Sequence, residues 1–354
     1  MSSWIRCPCY QVRKMHRSLY FYSETIRNKS ILVFAKDLKV INKMKLSKQF
    51  PKILILSVLV GLGISLLLPG GLTSTPQSVN VASASSGGSV LVGAGDIANC
   101  LNPGDKGTAA LLAKIPGTIF TAGDDAYPSG SAANFTNCFN PTWGAFKSRI
   151  RPAIGNHEVI TSKGAPYYAY FGAAAGPAGK GYYSYNLGSW HIIVLNAECS
   201  SIPGGCKLGS PQELWLKADL ASHPVKCTLA IWHQPRFSSG DYGDQAYTAP
   251  FWNDLYAAGA DVVINGHDHD YERFAPQNPS GKLDNAKGIR EFVAGTGGGS
   301  HTPFKSIQPN SQVRIANVFG VLEFHLASSS YTWQFIPSAG QKTTGTDSGS
   351  ATCH

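Results

Sequence analysis

Beyond residue 52 the chain has almost no charge excess of either sign. The formal total of +9 invites a nucleic-acid or membrane partner, yet residues 1–52 hold 12 of the 30 Lys+Arg and only 2 of the 21 Asp+Glu. The other 18 basic and 19 acidic residues leave the body at −1, which excludes nucleic acid as a specific partner. An apolar run of membrane-spanning length is also missing. The uncharged stretch ILILSVLVGLGISLLL, residues 53–68, has 16 residues, where a span needs about 20. It fits the apolar centre of a signal peptide better. Met44 opens a compact basic segment, MKLSKQFPK, and Ala82-x-Ala84 offers a small-residue cleavage pattern. The expectation is a functional start at Met44, residues 1–43 being an upstream extension. The alternative is a genuine basic tail with an uncleaved anchor, in which case a membrane is touched only through residues 53–68. On either reading the body is secreted or extracytoplasmic.

The body also lacks any CxxC pair, which argues against a thiolate zinc site. Its six cysteines are Cys100, Cys138, Cys199, Cys206, Cys227 and Cys353. An even count in an exported chain reads as disulfides, and six cysteines allow about 15 pairings. The short loop favours Cys199–Cys206. Cys100–Cys138 rests only on the loops that carry the two residues, and Cys227–Cys353 is what remains.

No internal repeat is present. Residues 1–84 read as the basic N-terminal segment with its signal or anchor, and the Ser/Gly/Pro-rich stretch 69–88 as a linker across the cleavage site. No comparable break follows, so residues 89–337 are expected to form one catalytic domain. Residues 338–354 are expected to be a polar tail, pinned if Cys353 is bonded.

Within the body, short apolar runs end in polar punctuation. SVLVGAGD ends at Asp96, GTIFTAGDD at Asp124 and RPAIGNHE at Asn156; WHIIVLNAE ends at Glu198, CTLAIWHQP at His233 and DVVINGHDH at His267. Further strand-like runs follow in REFVAGTGGG, GVLEFHL and YTWQFIP. Helical patterns lie between them at 106–115, 211–222 and 248–259. Buried strands alternating with helices predict an α/β layered domain, and such sheets carry their sites at the carboxyl ends of strands.

The polar groups at those ends are Asp96, Asp124, Tyr127, Asn156, His157, His233, His267 and His269. Taken singly each is ordinary. Asp96 and Asp124 would serve as turn or cap residues, Tyr127 as a packed aromatic, His233 as a core histidine and Asn156 as a turn residue. Together they are oxygen donors and imidazoles without thiolates, which suits a transition metal used as a Lewis acid. They are too many for one four-coordinate site and suit two ions sharing one carboxylate. His191, His223 and His325 lack this context and are assigned to structure, while His301 is left open. Arg236 and Arg273 are candidates for holding phosphate or for salt bridges. Glu158 and Asp270 are expected to orient imidazole N–H groups.

The ordered set GD (95–96), GDDAY (123–127), GNHE (155–158), WHQP (232–235) and GHDH (266–269) resembles the calcineurin-like metallophosphoesterases. Tyr127 and the run GHDHDYER resemble the purple acid phosphatase branch. That resemblance implies two mixed β-sheets packed face to face and flanked by helices, a four-layer sandwich. It implies that Asp96, Tyr127 and His269 bind Fe(III), that Asn156, His233 and His267 bind a divalent Fe, Zn or Mn, and that Asp124 bridges the two. His157 and Asn156 would contact a small phosphorylated substrate, with Asp124, Asn156 and His157 the catalytic set. Two departures stand out. Ala98 occupies a place where many members have histidine, and QPRFSSGDYGDQ (234–245) lacks the histidine pair of plant-type members. The expected function is an exported dinuclear phosphomonoesterase. A phosphodiesterase or nucleotidase on the same metals is the alternative within enzymes, and a secreted metal- or phosphate-binding protein with a degenerate site the alternative outside them.

Overall fold

Alternation along the strands decides the layers. Leu91, Phe120, Ile192 and Val262 point into one apolar cluster, while their neighbours Val92 and Ile119 point into a second and Ile193 and Val263 into a third. A strand with apolar residues on both faces must be covered on both. The computed structural model, which describes residues 88–341 and 345–354, shows how. The leader expected at 1–84, its apolar stretch at 53–68 and the Ala82-x-Ala84 site lie outside the described residues. Among the described residues no helix is long and apolar enough to cross a membrane.

In chain order the strands are β1 (Ser89–Ala94), β2 (Thr118–Ala122), β3 (Ile150–Ala153), β4 (Tyr183–Leu187), β5 (Trp190–Val194), β6 (Cys227–Ile231), β7 (Val262–Asn265), β8 (Tyr271–Phe274), β9 (Arg290–Ala294), β10 (Ser311–Ile315), β11 (Gly320–Leu326), β12 (Ser330–Pro337) and β13 (Asp347–Thr352). They form two mixed sheets, ordered β13-β12-β11-β1-β2-β3 and β10-β8-β9-β7-β6-β5-β4. Strands β1, β2 and β3 run parallel, as do β5, β6, β7 and β9. The first apolar cluster draws on both sheets and lies between them. The second packs helix Gly104–Leu112 and the aromatic segment around Phe135, Phe139 and Trp143 on the outer face of the first sheet. The third packs helices Pro211–Ser222 and Ala249–Ala257 on the outer face of the second. The result is the four-layer sandwich that the motifs implied.

The helix at 211–222 has the bounds expected of it, because Ser210 caps it through Glu213 N–H and Pro211 opens its first turn. The polar C-terminal segment, expected to be pinned if Cys353 is bonded, goes further: residues 347–352 form edge strand β13, paired antiparallel with β12. The reason is local: Cys353 is bonded to Cys227, and Asp347 accepts from Tyr271, Trp333 and Arg273. The other two disulfides are Cys100–Cys138 and Cys199–Cys206, as expected.

Parallel order brings the carboxyl ends of β1, β2 and β3 to one edge. Gly95 N–H donates to the Ala294 carbonyl at 2.9 Å, which ties the end of β1 to the end of β9. The two sheets therefore present their carboxyl ends to each other, and every polar run end of the sequence converges there.

Candidate metal centre

Three of the strand ends turn through backbone conformations that L-residues seldom adopt. Asp96 (φ 60°), Asp124 (φ 52°) and His267 (φ 71°) are all left-handed. A turn of this hand straight after a strand swings the side chain across the strand end. Glycine makes room for it. A Cβ at Gly123 would lie 2.5 Å from His233 Nδ1, and one at Gly266 would lie 2.5 Å from Asp96 Oδ2.

The backbone fixes one oxygen of each aspartate and leaves the other free. His267 N–H donates to Asp96 Oδ2 at 2.8 Å, and His157 N–H donates to Asp124 Oδ1 at 2.9 Å. The remaining oxygens face a shared space. On one side Tyr127 Oη lies 2.8 Å from Asp96 Oδ1, 3.0 Å from His269 Nε2 and 3.1 Å from Asp124 Oδ2. On the other side His233 Nε2 lies 3.0 Å from Asn156 Oδ1, 3.3 Å from His267 Nδ1 and 3.3 Å from the same Asp124 Oδ2. Asp124 Oδ2 thus belongs to both groups of three. Asp96, Asp124 and His233 alone bring potential ligand atoms within 4.8 Å of one another, all buried.

The imidazoles are aimed from behind. His233 Nδ1 lies 2.8 Å from the Ala122 carbonyl, and His269 Nδ1 lies 2.6 Å from Ser300 Oγ. A proton on each Nδ1 leaves an Nε2 lone pair facing carboxylate, amide and phenol oxygens. Such a set of lone pairs pointing at one another wants a cation among them, and oxygen-plus-imidazole donors suit first-row transition ions. The residues present therefore fit a metal pair. Without metal the same geometry shows up in proton affinities. Burial disfavours the His233 cation, but Asp124 and Asp96 outweigh it and hold its pKa well above the ordinary value. Burial opposes the Asp124 charge as well, and the His233 and His157 imidazoles outweigh it, holding that carboxyl well below the usual range. Burial together with Asp124 and Asp96 keeps the Tyr127 phenol protonated far beyond its usual range. Burial and the nearby His233 hold His267 down at about 4.

His157 stands beside this set. Its Nδ1 lies 2.6 Å from the Pro128 carbonyl, its ring 4.5 Å from that of Tyr127, and its Nε2 3.8 Å from Asp124 Oδ2. Asn156 and His157 both fit because GNHE enters a short helix, Asn156–Val159, and does not continue extended.

Other expectations are corrected. Glu158 does not orient an imidazole; it accepts from the backbone N–H groups of Ala126 and Gly155 and so pins β3's exit to the Tyr127 loop. Asp270 touches no imidazole either, being buried with neither carboxylate oxygen hydrogen-bonded. A carbonyl and a serine hydroxyl do the orienting. Arg273 pairs with Asp347 at 2.8 Å, and Arg236 lies over the Phe237 ring, so neither joins the cluster. His301 stacks on Phe319 at 3.9 Å. His191 and His223 stack on each other beside Asp219, and His325 pairs with Glu323. Sequence reasoning missed Ser300, Thr302, whose hydroxyl accepts from His269 N–H, and Tyr242, whose ring leans on His267. The segment GTGGGSHT does carry a signal for the first two, since a glycine-rich run directly after β9 must pass the carboxyl edge.

A family model for calcineurin-like phosphoesterases matches residues 90–271. Purple acid phosphatase 15 of Arabidopsis thaliana is 27% identical over 234 residues, which cover 56% of this chain and 43% of that protein. Purple acid phosphatase 18 of the same plant is 31% identical over 167 residues, covering 43% and 36%. The chain thus spans less than half the length of these curated relatives. Among solved structures, purple acid phosphatase PPD1 from yellow lupin (Lupinus luteus) seeds superposes with a TM-score of 0.62 at 18% identity, over 75% of this chain and 54% of that one. GAP50, the anchor in the inner membrane complex of Plasmodium, superposes with a TM-score of 0.55 at 14% identity, over 73% and 87%. At such identities the likeness is one of fold.

Proposed function

The chain belongs to the calcineurin-like phosphoesterase family, and from that premise we propose that it hydrolyses phosphate monoesters at a pair of metal ions, in the manner of a purple acid phosphatase. The observation that carries the reading is Asp124 Oδ2, which lies 3.1 Å from Tyr127 Oη and 3.3 Å from His233 Nε2. A carboxylate oxygen shared by two donor groups is what a bridged pair requires.

In this proposal Asp96, Tyr127 and His269 hold one ion, Asn156, His233 and His267 the other, and Asp124 both. The first group contributes two oxygens and suits the harder Fe(III); the second is richer in imidazole and suits a divalent Fe, Zn or Mn. Bound there, such ions supply Lewis acidity toward the phosphoryl oxygens and acidify water. The chain supplies the rest. Ala122 O and Ser300 Oγ hold the His233 and His269 rings in place. Asn156 offers its side-chain amide to the phosphoryl oxygens as negative charge builds on them. Water adds to phosphorus and sheds a proton to solvent, the ester P–O bond breaks, and His157 passes a proton from Nε2 to the departing oxygen and recovers one from solvent. The three disulfides support an exported body, since such bonds persist in oxidising compartments.

The test is elemental analysis of the purified protein alongside turnover of p-nitrophenyl phosphate and bis(p-nitrophenyl) phosphate. Two equivalents of metal and preference for the monoester are expected. Preference for the diester would convert the reading to a phosphodiesterase. Full metal occupancy without turnover would make the protein a binding module.

A further inference from the structure

We propose that Tyr242 sets the substrate specificity of this site by selecting phosphate monoesters whose leaving group is a flat aromatic ring. The inference rests on the phosphatase reading above and deepens it. The Tyr242 ring centroid lies 4.5 Å from that of His267, tilted by 31°, and the residue is 53% exposed. The mount of this exposed ring is rigid. Tyr242 N–H donates to Asp268 Oδ1 at 2.8 Å, and the buried Asp268 takes the Ser238 hydroxyl on its other oxygen. Gly240 packs so closely that a Cβ there would fall 2.3 Å from Asp268 Cγ. Ser239 N–H donates to Glu272 Oε2 at 2.8 Å, and Ser239 accepts from the backbone N–H groups of Lys305 and Gln308, each at 2.9 Å. The loop is therefore locked to the strand end that carries His267 and His269, while its aromatic side chain stays uncovered.

The uncovered phenol face thus leans on an imidazole of the cluster and is open to the substituent of an ester bound there. A planar substituent gains an aromatic contact on such a face, whereas a flexible alkyl chain gains only burial.

The experiment compares phenyl phosphate with glycerol 2-phosphate in the full-length wild type, Tyr242→Ala and Tyr242→Phe, with bound metal measured in each. Intrinsic leaving-group reactivity cancels in the ratio of variant to wild type. In Tyr242→Ala the aryl-to-alkyl ratio of kcat/KM should fall about three- to tenfold, the size of one aromatic contact, and the fall should lie in KM. Tyr242→Phe should keep the wild-type ratio, and metal content should not change. An unchanged ratio in the alanine variant overturns the proposal. So does loss of metal, which would make Tyr242 a cover for His267, or an equal fall in the phenylalanine variant, which would shift the role to the hydroxyl. If the wild type turns over neither ester, the phosphatase reading fails. The affinities of phenylphosphonate and methylphosphonate then decide on Tyr242, with the same fall expected in their ratio.

Discussion

Alanine at position 157 should leave the metal centre assembled and still disable the enzyme toward demanding substrates. What the substitution removes can be read from the contacts. The His157 side chain touches the Pro128 carbonyl and the Tyr127 ring and is about a third exposed, so its loss costs the fold about 1 kcal/mol. What it keeps is the backbone N–H that holds Asp124 Oδ1 at 2.9 Å. The Asp124 carboxylate therefore stays in place, and bound metal should not change. The catalytic loss is that of a general acid, typically about 10²–10⁴-fold or about 3–5 kcal/mol of barrier. That help matters only when the departing oxygen is basic. An alkyl phosphate should lose the whole factor, whereas p-nitrophenyl phosphate, with its acidic phenol, should lose under about tenfold. The assay is metal analysis plus kcat for both esters. Loss of a metal ion from His157→Ala would make the residue a ligand and refute the reasoning, and equal slowing of the two esters would reduce its role to positioning.

Asp124→Ala should lose both ions and all turnover together, because one oxygen serves both donor groups; retention of two equivalents by elemental analysis would count against the bridge. Tyr127→Phe should keep the fold and bleach any phenolate-to-iron band from the visible spectrum of the iron form, so a colour that survives the substitution would place another chromophore there. Replacing Cys227 and Cys353 with alanine opens a loop of 126 residues, for which chain entropy alone predicts a loss of about 5 kcal/mol in urea denaturation. Burial raises the Asp261 carboxyl to about 6 from its ordinary 3.8, so the folded state binds its proton more tightly than the unfolded one. Its contribution is therefore present below about pH 4 and lost as pH rises to about 6; the stability difference between wild type and Asp261→Asn should move by at most about 3 kcal/mol over that window and be flat above it.

The fold was legible where burial is two-sided. WHIIV and DVVIN are apolar except at His191, Asp261 and Asn265 because both faces of β5 and β7 are covered, and each reads as a strand on sight. Strands β4, β8 and β10 were not read, because YSYNL, YERF and SQVRI mix polar and apolar residues at or near the sheet edge. Strand β13 escaped for another reason: DSGSAT has no strand propensity, and a disulfide plus the ties of Asp347 hold it in place. At the site, the eight side chains expected to meet do meet, since the motifs fix both residue type and strand end. The partners behind them showed far less. Only the glycine-rich run before Ser300 points to its place, nothing marks Tyr242, and the chemistry that orients His233 comes from the Ala122 backbone, which every residue has.

The left-handed turns at Asp96, Asp124 and His267 have a bearing on how such a chain would drift. Each holds an L-residue where glycine would sit more comfortably, by roughly 1 kcal/mol. Glycine at Asp124 would, however, leave the buried His233 imidazole without the carboxylate that holds its proton, a loss larger than the backbone relief. Each turn is thus kept by its side chain against its own conformational preference. Even without metal, glycine at the end of β2 should lower the melting temperature, so relaxed selection gains no stability by erasing that corner of the centre.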